Sequence, residues 1–313
     1  MLAYLVKRLI LLPIVLIGVL TMTFLLIQFI PGDPAVYIAG PDAAPEVVER
    51  IRAHYGLDRP IWEQYFRYVG GAIRGNFGRS LVSRAPVLAD ITRTLPNTLT
   101  LMIFSTTWSM STAILLGVIA AVRRGSWIDR GAMVFAIIGL SVPIFFIGLS
   151  VMWLFAYKLE WLPLLGMSRP IWSLRGLSYV LLPAFTLGIT YMATLTRLTR
   201  SAMLEVLRQD YITTARSKGL HERVITYRHA LKNAMLPIVT VMGAQLVRMF
   251  GGAVVCETIF AWPGMGRLSV TAVMSNDFPV IQGVVLVTGL ASVVINLCVD
   301  LFYAVLDPRI RYS

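Results

Sequence analysis

The residues in this chain that could do covalent chemistry are few and scattered. Two cysteines, Cys256 and Cys298, lie far apart, and Cys298 sits in an apolar run. Three histidines, His54, His221 and His229, form no cluster with them. His221-Glu222 begins like a helical zinc-protease motif, but Ile225 stands where the second histidine must be. No metal-ligand spacing emerges, and no nucleophile is paired with a base, so neither a catalytic residue nor a metal site is assigned. A G-x-x-x-x-G-K-[ST] phosphate loop is absent. The chemistry that remains is mechanical: a segment built to be gripped, Asp210 to Leu220, and a turn-rich segment, Glu257 to Arg267, that cannot continue a helix.

The elements that position these segments are legible in the composition. Of 313 residues 57% are hydrophobic and only 14% charged, against about a quarter charged in soluble domains. Mean hydropathy is +0.73. The charge is missing from long blocks and gathered between them, the pattern of membrane spans joined by polar loops. The net charge of +12 lies mostly beside apolar spans, so it reads as topology and not as a nucleic-acid surface.

Six stretches are long enough to span: Leu9–Ile30, Leu99–Val122, Ala132–Tyr157, Leu177–Leu195, Ala234–Val255 and Val280–Val299. The first is too long for a signal-peptide core and has no small-residue cleavage site after it, so it is read as retained. Pro143 and Pro183 predict kinks in the third and fourth spans. With the N-terminus cytoplasmic, inside segments hold Lys7, Arg8, Arg123, Arg124, Arg130, the basic loop Arg197 to Lys232, Arg309 and Arg311. Short outside loops hold only Lys158, Arg169, Arg175 and Arg267. Both termini are therefore expected inside. The expected organisation is an N-terminal tail and first span (1–30), an extracytoplasmic helical segment (31–98), a core membrane domain of the remaining spans (99–306) with a cytoplasmic loop at 196–233, and a cytoplasmic tail (307–313).

Within the outer segment, Pro45 suits the first position of a helix and Gly56 its end, with Val47, Val48, Ile51 and Tyr55 on one face. After Pro60, Trp62, Tyr65, Phe66, Val69 and Ile73 repeat at helical spacing up to Gly75. These two amphipathic helices are read either as a cap over the bundle or as a docking surface for an extracytoplasmic partner. In the inner loop, Asp210 reads as an N-cap, Arg216 and Lys218 as last-turn cations, and Gly219 as the left-handed stop. A second helix then begins after Leu220 and runs into the fifth span. Such a helix–glycine–helix knob suits a partner's groove.

This knob resembles the EAA loop of binding-protein-dependent ABC importers. Ala215, Gly219 and Leu236-Pro237 match the family pattern, while Thr213-Thr214-Ala215 departs from its acidic-alanine-alanine start. Further matches lie in order along the chain. They are Ile30-Pro31-Gly32-Asp33-Pro34-Ala35, Tyr55-Gly56-Leu57-Asp58-Arg59-Pro60, Glu257-Thr258-Ile259-Phe260-Ala261-Trp262-Pro263-Gly264-Met265-Gly266-Arg267 and Leu306-Asp307-Pro308-Arg309-Ile310-Arg311. Together they resemble the B-type permeases for dipeptides, oligopeptides, glutathione and nickel.

The resemblance implies an all-α, polytopic bacterial inner-membrane protein with the type I ABC importer permease fold. It implies a second homologous permease, two cytoplasmic ATPases that carry ATP and Mg, and an extracytoplasmic solute-binding protein. ATP binding would swing the permeases outward, and hydrolysis would reset them. Asp210, Tyr211, Ala215, Lys218, Gly219 and Leu220 are the implied ATPase contacts, with an ordinary basic loop as the competing reading. Arg248, Glu257, Trp262, Pro263, Gly264 and Gly266 are candidate gate or pathway residues. For the 257–267 segment, an outer gate competes with a tight surface turn. Arg248, a charge inside the fifth span, could meet a solute carboxylate, pair with Glu257 or pair with the second permease, and a structural partner is favoured. Short peptides are the expected solute. The short loop Leu159 to Gly176 and the stretch Ile38-Ala39-Gly40-Pro41 move weight towards glutathione- or nickel-type systems. An ion-coupled secondary transporter is the alternative from another class, although no internal repeat is visible.

Overall fold

The computed structural model describes residues 2–28, 33–40 and 43–306. Residues Ile30 to Gly32 of the first motif, Pro41, and the tail 307–313 with Arg309 and Arg311 lie outside the described residues. Among the described residues the secondary structure is helical, with one isolated bridge between Arg79 and Pro86.

The helices run in order as α1 (Leu2–Gln28), α2 (Pro34–Ala39), α3 (Pro45–Tyr55), α4 (Ile61–Ile73), α5 (Val87–Val122), α6 (Trp127–Ser141) and α7 (Ile144–Val151), the last continued by a π-helical stretch Met152–Lys158. Then follow α8 (Leu174–Val206), α9 (Asp210–Ser217), α10 (Glu222–Val224), a second π-helical stretch Ile225–Leu231, α11 (Lys232–Ile259), α12 (Met265–Met274) and α13 (Phe278–Leu306). Among the described residues four helical runs are long and apolar enough to cross a membrane: Val87–Val122, Leu174–Val206, Glu222–Ile259 and Phe278–Val299. In α1 the apolar stretch within the described side chains is Pro13–Leu25.

The third expected span departs from a kinked rod. α6 and α7 are bent by 107° at the Val142-Pro143 break. Pro143 has no N–H to donate and starts α7 as its N-cap, so the chain turns there and does not merely bend. Pro183, by contrast, sits inside a continuous α8.

The chain divides into two units, Leu2–Pro96 with Leu268–Val293, and Asn97–Arg267 with the chain from Val294 onward. In the first unit, α3 starts at Pro45 and stops at Gly56, whose φ of 70° is left-handed. α2, which the periodicity did not suggest, is capped by the Asp33 side chain on the Ala35 N–H at 2.9 Å. The same carboxylate pairs with Arg52 of α3. α4 packs on α1 through Tyr65, whose ring meets Phe24 edge-on at 5.4 Å and whose hydroxyl lies 2.7 Å from that of Thr21. The face carrying Trp62, Phe66 and Ile73 is exposed. Asp277 closes this unit's turn: its buried carboxylate accepts from the Ser80 hydroxyl and from the Leu81 N–H at 3.1 Å.

The second unit is built on α8, packed against α6, α7 and α11. Leu187, Ala193, Leu195 and Met203 of α8 are fully buried. Its basic end is tied down by an ion pair. Arg200 grips Asp129 of α6 through both nitrogens, Nη2 at 2.8 Å, and the same carboxylate accepts the Gly125 N–H at 2.9 Å. Asp129 is almost wholly buried, so this pair joins the α5–α6 turn to α8.

Candidate functional site

α9 is a short helix held by two apolar side chains. Ile212 is fully buried and Ala215 nearly so, both within the cluster formed by Met203 of α8, Ile225 and Ala230 of the second π-helical stretch, and Ala234 and Ile238 of α11. Residues 212 and 215 are one turn apart, so they share a face. The opposite face, with Asp210, Thr213, Thr214 and Ser217, is exposed. Asp210 occupies the first helical position and not the cap. Gln209 stands at the cap without a side-chain hydrogen bond, and Asp210 meets the helix dipole from the first turn.

The helix ends as expected. Gly219 has a φ of 77°, the Gly219 N–H donates to Arg216 O at 2.9 Å, and the Leu220 N–H donates to Ala215 O at 3.3 Å. A Cβ on Gly219 would meet nothing within 4 Å, so this turn faces open space. Arg216 Nε reaches across the turn to Glu222 at 2.8 Å, which holds the guanidinium even more firmly protonated than usual. The His221 Nδ1 accepts the Arg223 N–H at 3.2 Å and caps the next helix. Tyr211 is 43% exposed and its hydroxyl accepts from Asn233 Nδ2 at 2.7 Å. The exposed set is thus Asp210, Tyr211, Lys218, Gly219 and Leu220, while Ala215 faces inward as an anchor. From Leu220 the chain runs through α10 and the π-helical stretch into α11 as one apolar run to Ile259.

Most of the 257–267 segment packs inward, so it is more than a tight surface turn. Trp262, Phe260 and Met265 have essentially no exposed surface, and Pro263 is exposed. Glu257 is fully buried at the end of α11. Its carboxylate accepts from Thr98 Oγ1 at 2.6 Å and from the Arg267 N–H at 3.1 Å. Thr98 Oγ1 in turn accepts the Met265 N–H at 2.8 Å. Glu257 and Thr98 therefore satisfy first-turn donors of α12 from outside that helix. Asn97 completes the clasp: its Nδ2 donates to Pro263 O at 2.7 Å, its carbonyl accepts from Trp262 Nε1 at 3.0 Å, and its Oδ1 accepts from Arg169 at 2.9 Å. Gly264 is required by close approach, since a Cβ there would lie 2.2 Å from Glu257 Oε1.

Arg248 does not join this cluster. It is exposed on α11 and has no ion-pair partner among the described residues. Nine residues along a helix of about 3.6 per turn place it on the face opposite Glu257, which removes the pair with Glu257 from the three alternatives above. Sequence reasoning also missed Asn97 and Thr98, which precede an apolar run and look like an ordinary span start. It missed the Asp129–Arg200 pair as well. An acid in one span's first turn and a base in another's last portion was the available signal.

Comparison with known proteins supplies the context. A family profile described as "Binding-protein-dependent transport system inner membrane component" matches residues 113–312. The companion N-terminal profile of such membrane components matches residues 1–102. The chain is 42% identical over 313 residues, all of both chains, to the glutathione transport system permease protein GsiC of Escherichia coli K12, and equally to GsiC of Shigella flexneri serotype 5b. Among solved structures it resembles an inward-facing conformation of the MetNI methionine ABC transporter, with a TM-score of 0.58 at 16% identity. That likeness covers 69% of this chain and 96% of the other, and it shows the shared fold.

Proposed function

This chain belongs to the family of binding-protein-dependent transport system inner membrane components, the permeases of ABC importers, and we propose that it forms one half of a translocation pathway for short peptide-like solutes. It is a multi-pass inner-membrane transport component and not an enzyme. Glutathione, itself a tripeptide, is the specific solute that the full-length similarity to GsiC supports. In this reading a second, homologous permease supplies the other half, ATP and Mg bind on the cytoplasmic ATPases, and the segment 31–98 faces the solute-binding protein.

The observation that carries the proposal is the anchored knob. Ile212 and Ala215 hold α9 in the apolar cluster that the second π-helical stretch shares with α8 and α11, while Tyr211, Lys218, Gly219 and Leu220 face outward. An ATPase that grips this surface pulls on both long helices at once, because the chain enters α9 from α8 and leaves it towards α11. The Asp129–Arg200 pair carries the same displacement to α6. The Glu257–Thr98–Asn97 clasp makes the 257–267 segment and the start of the α5 span move as one body, which suits an outer gate that swings without unfolding. In this reading Arg248, exposed on α11, meets the second permease or the solute.

The test is co-purification of the tagged chain from its host in mild detergent, followed by reconstitution with its binding protein. Recovery of a second permease and ATPases, and ATP hydrolysis stimulated by glutathione-loaded binding protein, is the expected result. A chain that purifies alone and transports on an ion gradient overturns it.

A further inference from the structure

The unit formed by Leu2–Pro96 and Leu268–Val293 contains a cavity of about 660 Å³ that none of the roles above uses. Four arginines line it, Arg59, Arg67, Arg74 and Arg79, and no carboxylate does. Arg59 is partly neutralised by Glu63 at 3.3 Å. Arg67, Arg74 and Arg79 have no ion-pair partner among the described residues. All four arginines are exposed, so water screens their mutual repulsion, and what they offer an anion is the pull of an open, positively charged groove.

The rest of the lining is that of a small-molecule site. Gln28, Asn76 and Gln282 bring amides to the wall, and Phe24, Phe66 and Phe77 bring apolar surface. Gln64 Nε2 is already committed to the carbonyls of Arg59 at 2.8 Å and Leu57 at 3.3 Å, which leaves its carbonyl as an acceptor. Burial pushes the Tyr68 hydroxyl up to about 12, so this phenol in the wall stays neutral. Arg67 is laid across the turn at Gly56: a Cβ there would fall 2.8 Å from Arg67 Nη1, and the φ of 70° already demands glycine. The Tyr55–Pro60 motif thus has a second use beyond ending α3, since it makes room for a guanidinium.

We propose that this cavity binds the carboxylate groups of a small peptide-like anion, the class that includes glutathione and unblocked tripeptides. The volume lies within the few hundred to about 1,000 Å³ usual for small-ligand sites. Guanidinium forks match carboxylates in bidentate geometry, and mixed amide and aromatic walls match a peptide backbone better than an acyl chain. The inference rests on the reading of the chain as a permease for peptide-like solutes, and it places a solute contact in this chain as well as in the binding protein.

The experiment uses the full-length permease in nanodiscs of phosphatidylcholine, with binding of reduced glutathione and of trialanine followed by saturation-transfer NMR and calorimetry. The expected result is binding of at least one probe, weakened about tenfold or more when its carboxylates are converted to methyl esters. Arg67→Gln and Arg74→Gln should each weaken binding to a similar degree while leaving the detergent melting temperature unchanged, and Arg74→Lys should restore part of it. No binding, equal binding of the esters, or indifference to both arginine variants overturns the proposal. So does native mass spectrometry showing phosphatidylglycerol retained by the wild type and lost from the variants, since the cavity is then a lipid headgroup site. Co-purification and basal ATP hydrolysis of the complex need no solute in this cavity. If they persist while binding fails, the cavity assignment falls and the permease reading stands.

Discussion

Gly219→Val tests the coupling knob most directly. Gly219 holds a φ of 77°, a conformation that costs an L-residue about 1–2 kcal/mol and a β-branched residue the most. No clash adds to this within the chain, because a Cβ would meet nothing within 4 Å. Against the strain stands the burial of Ile212, which contributes about 1.5–3 kcal/mol to holding α9 in place. The two are comparable, so α9 stays anchored or shifts slightly, and the long helices are untouched. In either case isopropyl bulk enters the space that the ATPase is proposed to occupy. The assay is ATP hydrolysis stimulated by solute-loaded binding protein in proteoliposomes, alongside uptake. Gly219→Val should lower both about tenfold, equivalent to ~1.4 kcal/mol of lost coupling, with normal membrane levels of the permease. Gly219→Asn, which tolerates the left-handed region, should lower them less. Stimulated hydrolysis by the valine variant within about twofold of wild type, a difference of only ~0.4 kcal/mol, refutes the placement of a partner at this turn.

Other perturbations follow from the same contacts. Ile212→Ala should remove about 2–5 kcal/mol of anchoring and uncouple hydrolysis from solute, and unchanged stimulation in proteoliposomes would show that α9 is not levered through its buried face. Glu257→Ala leaves the Thr98 hydroxyl and the Arg267 N–H without their acceptor, at about 1–3 kcal/mol for each group. The melting temperature in detergent should fall clearly, with Glu257→Gln falling less. Asp129→Ala strands Arg200 and should cost about 3–5 kcal/mol, while Asp129→Ala with Arg200→Met should recover part of that loss in a thermal-melt cycle. The Arg216–Glu222 bridge is exposed on both sides, so Glu222→Gln should change stability by less than about 1 kcal/mol, read in the same melts.

The sequence by itself determined whatever depends on local periodicity and stereochemistry. Long apolar blocks must leave water, so a polytopic helical protein followed from hydropathy alone. Gly56 and Gly219 end their helices because only a residue without a side chain takes a positive φ cheaply, and both were readable as stops beside apolar periodicity. The motifs spread along the chain were likewise enough to identify the family. Tertiary structure alone decided which side chains meet. Glu257 and Thr98 are 159 positions apart, yet they share one hydrogen bond, and Arg200 finds Asp129 across 71. The apolar stripe on α4 read either as a cap or as a docking surface, and only the contacts divide it, Tyr65 packing on α1 while Trp62, Phe66 and Ile73 are exposed. Pro143 looked like a kink, but the chain turns through 107° there. A helix's own period fixes which residues share a face, but what lies opposite that face depends on contacts between elements distant in the chain, and no local pattern records them.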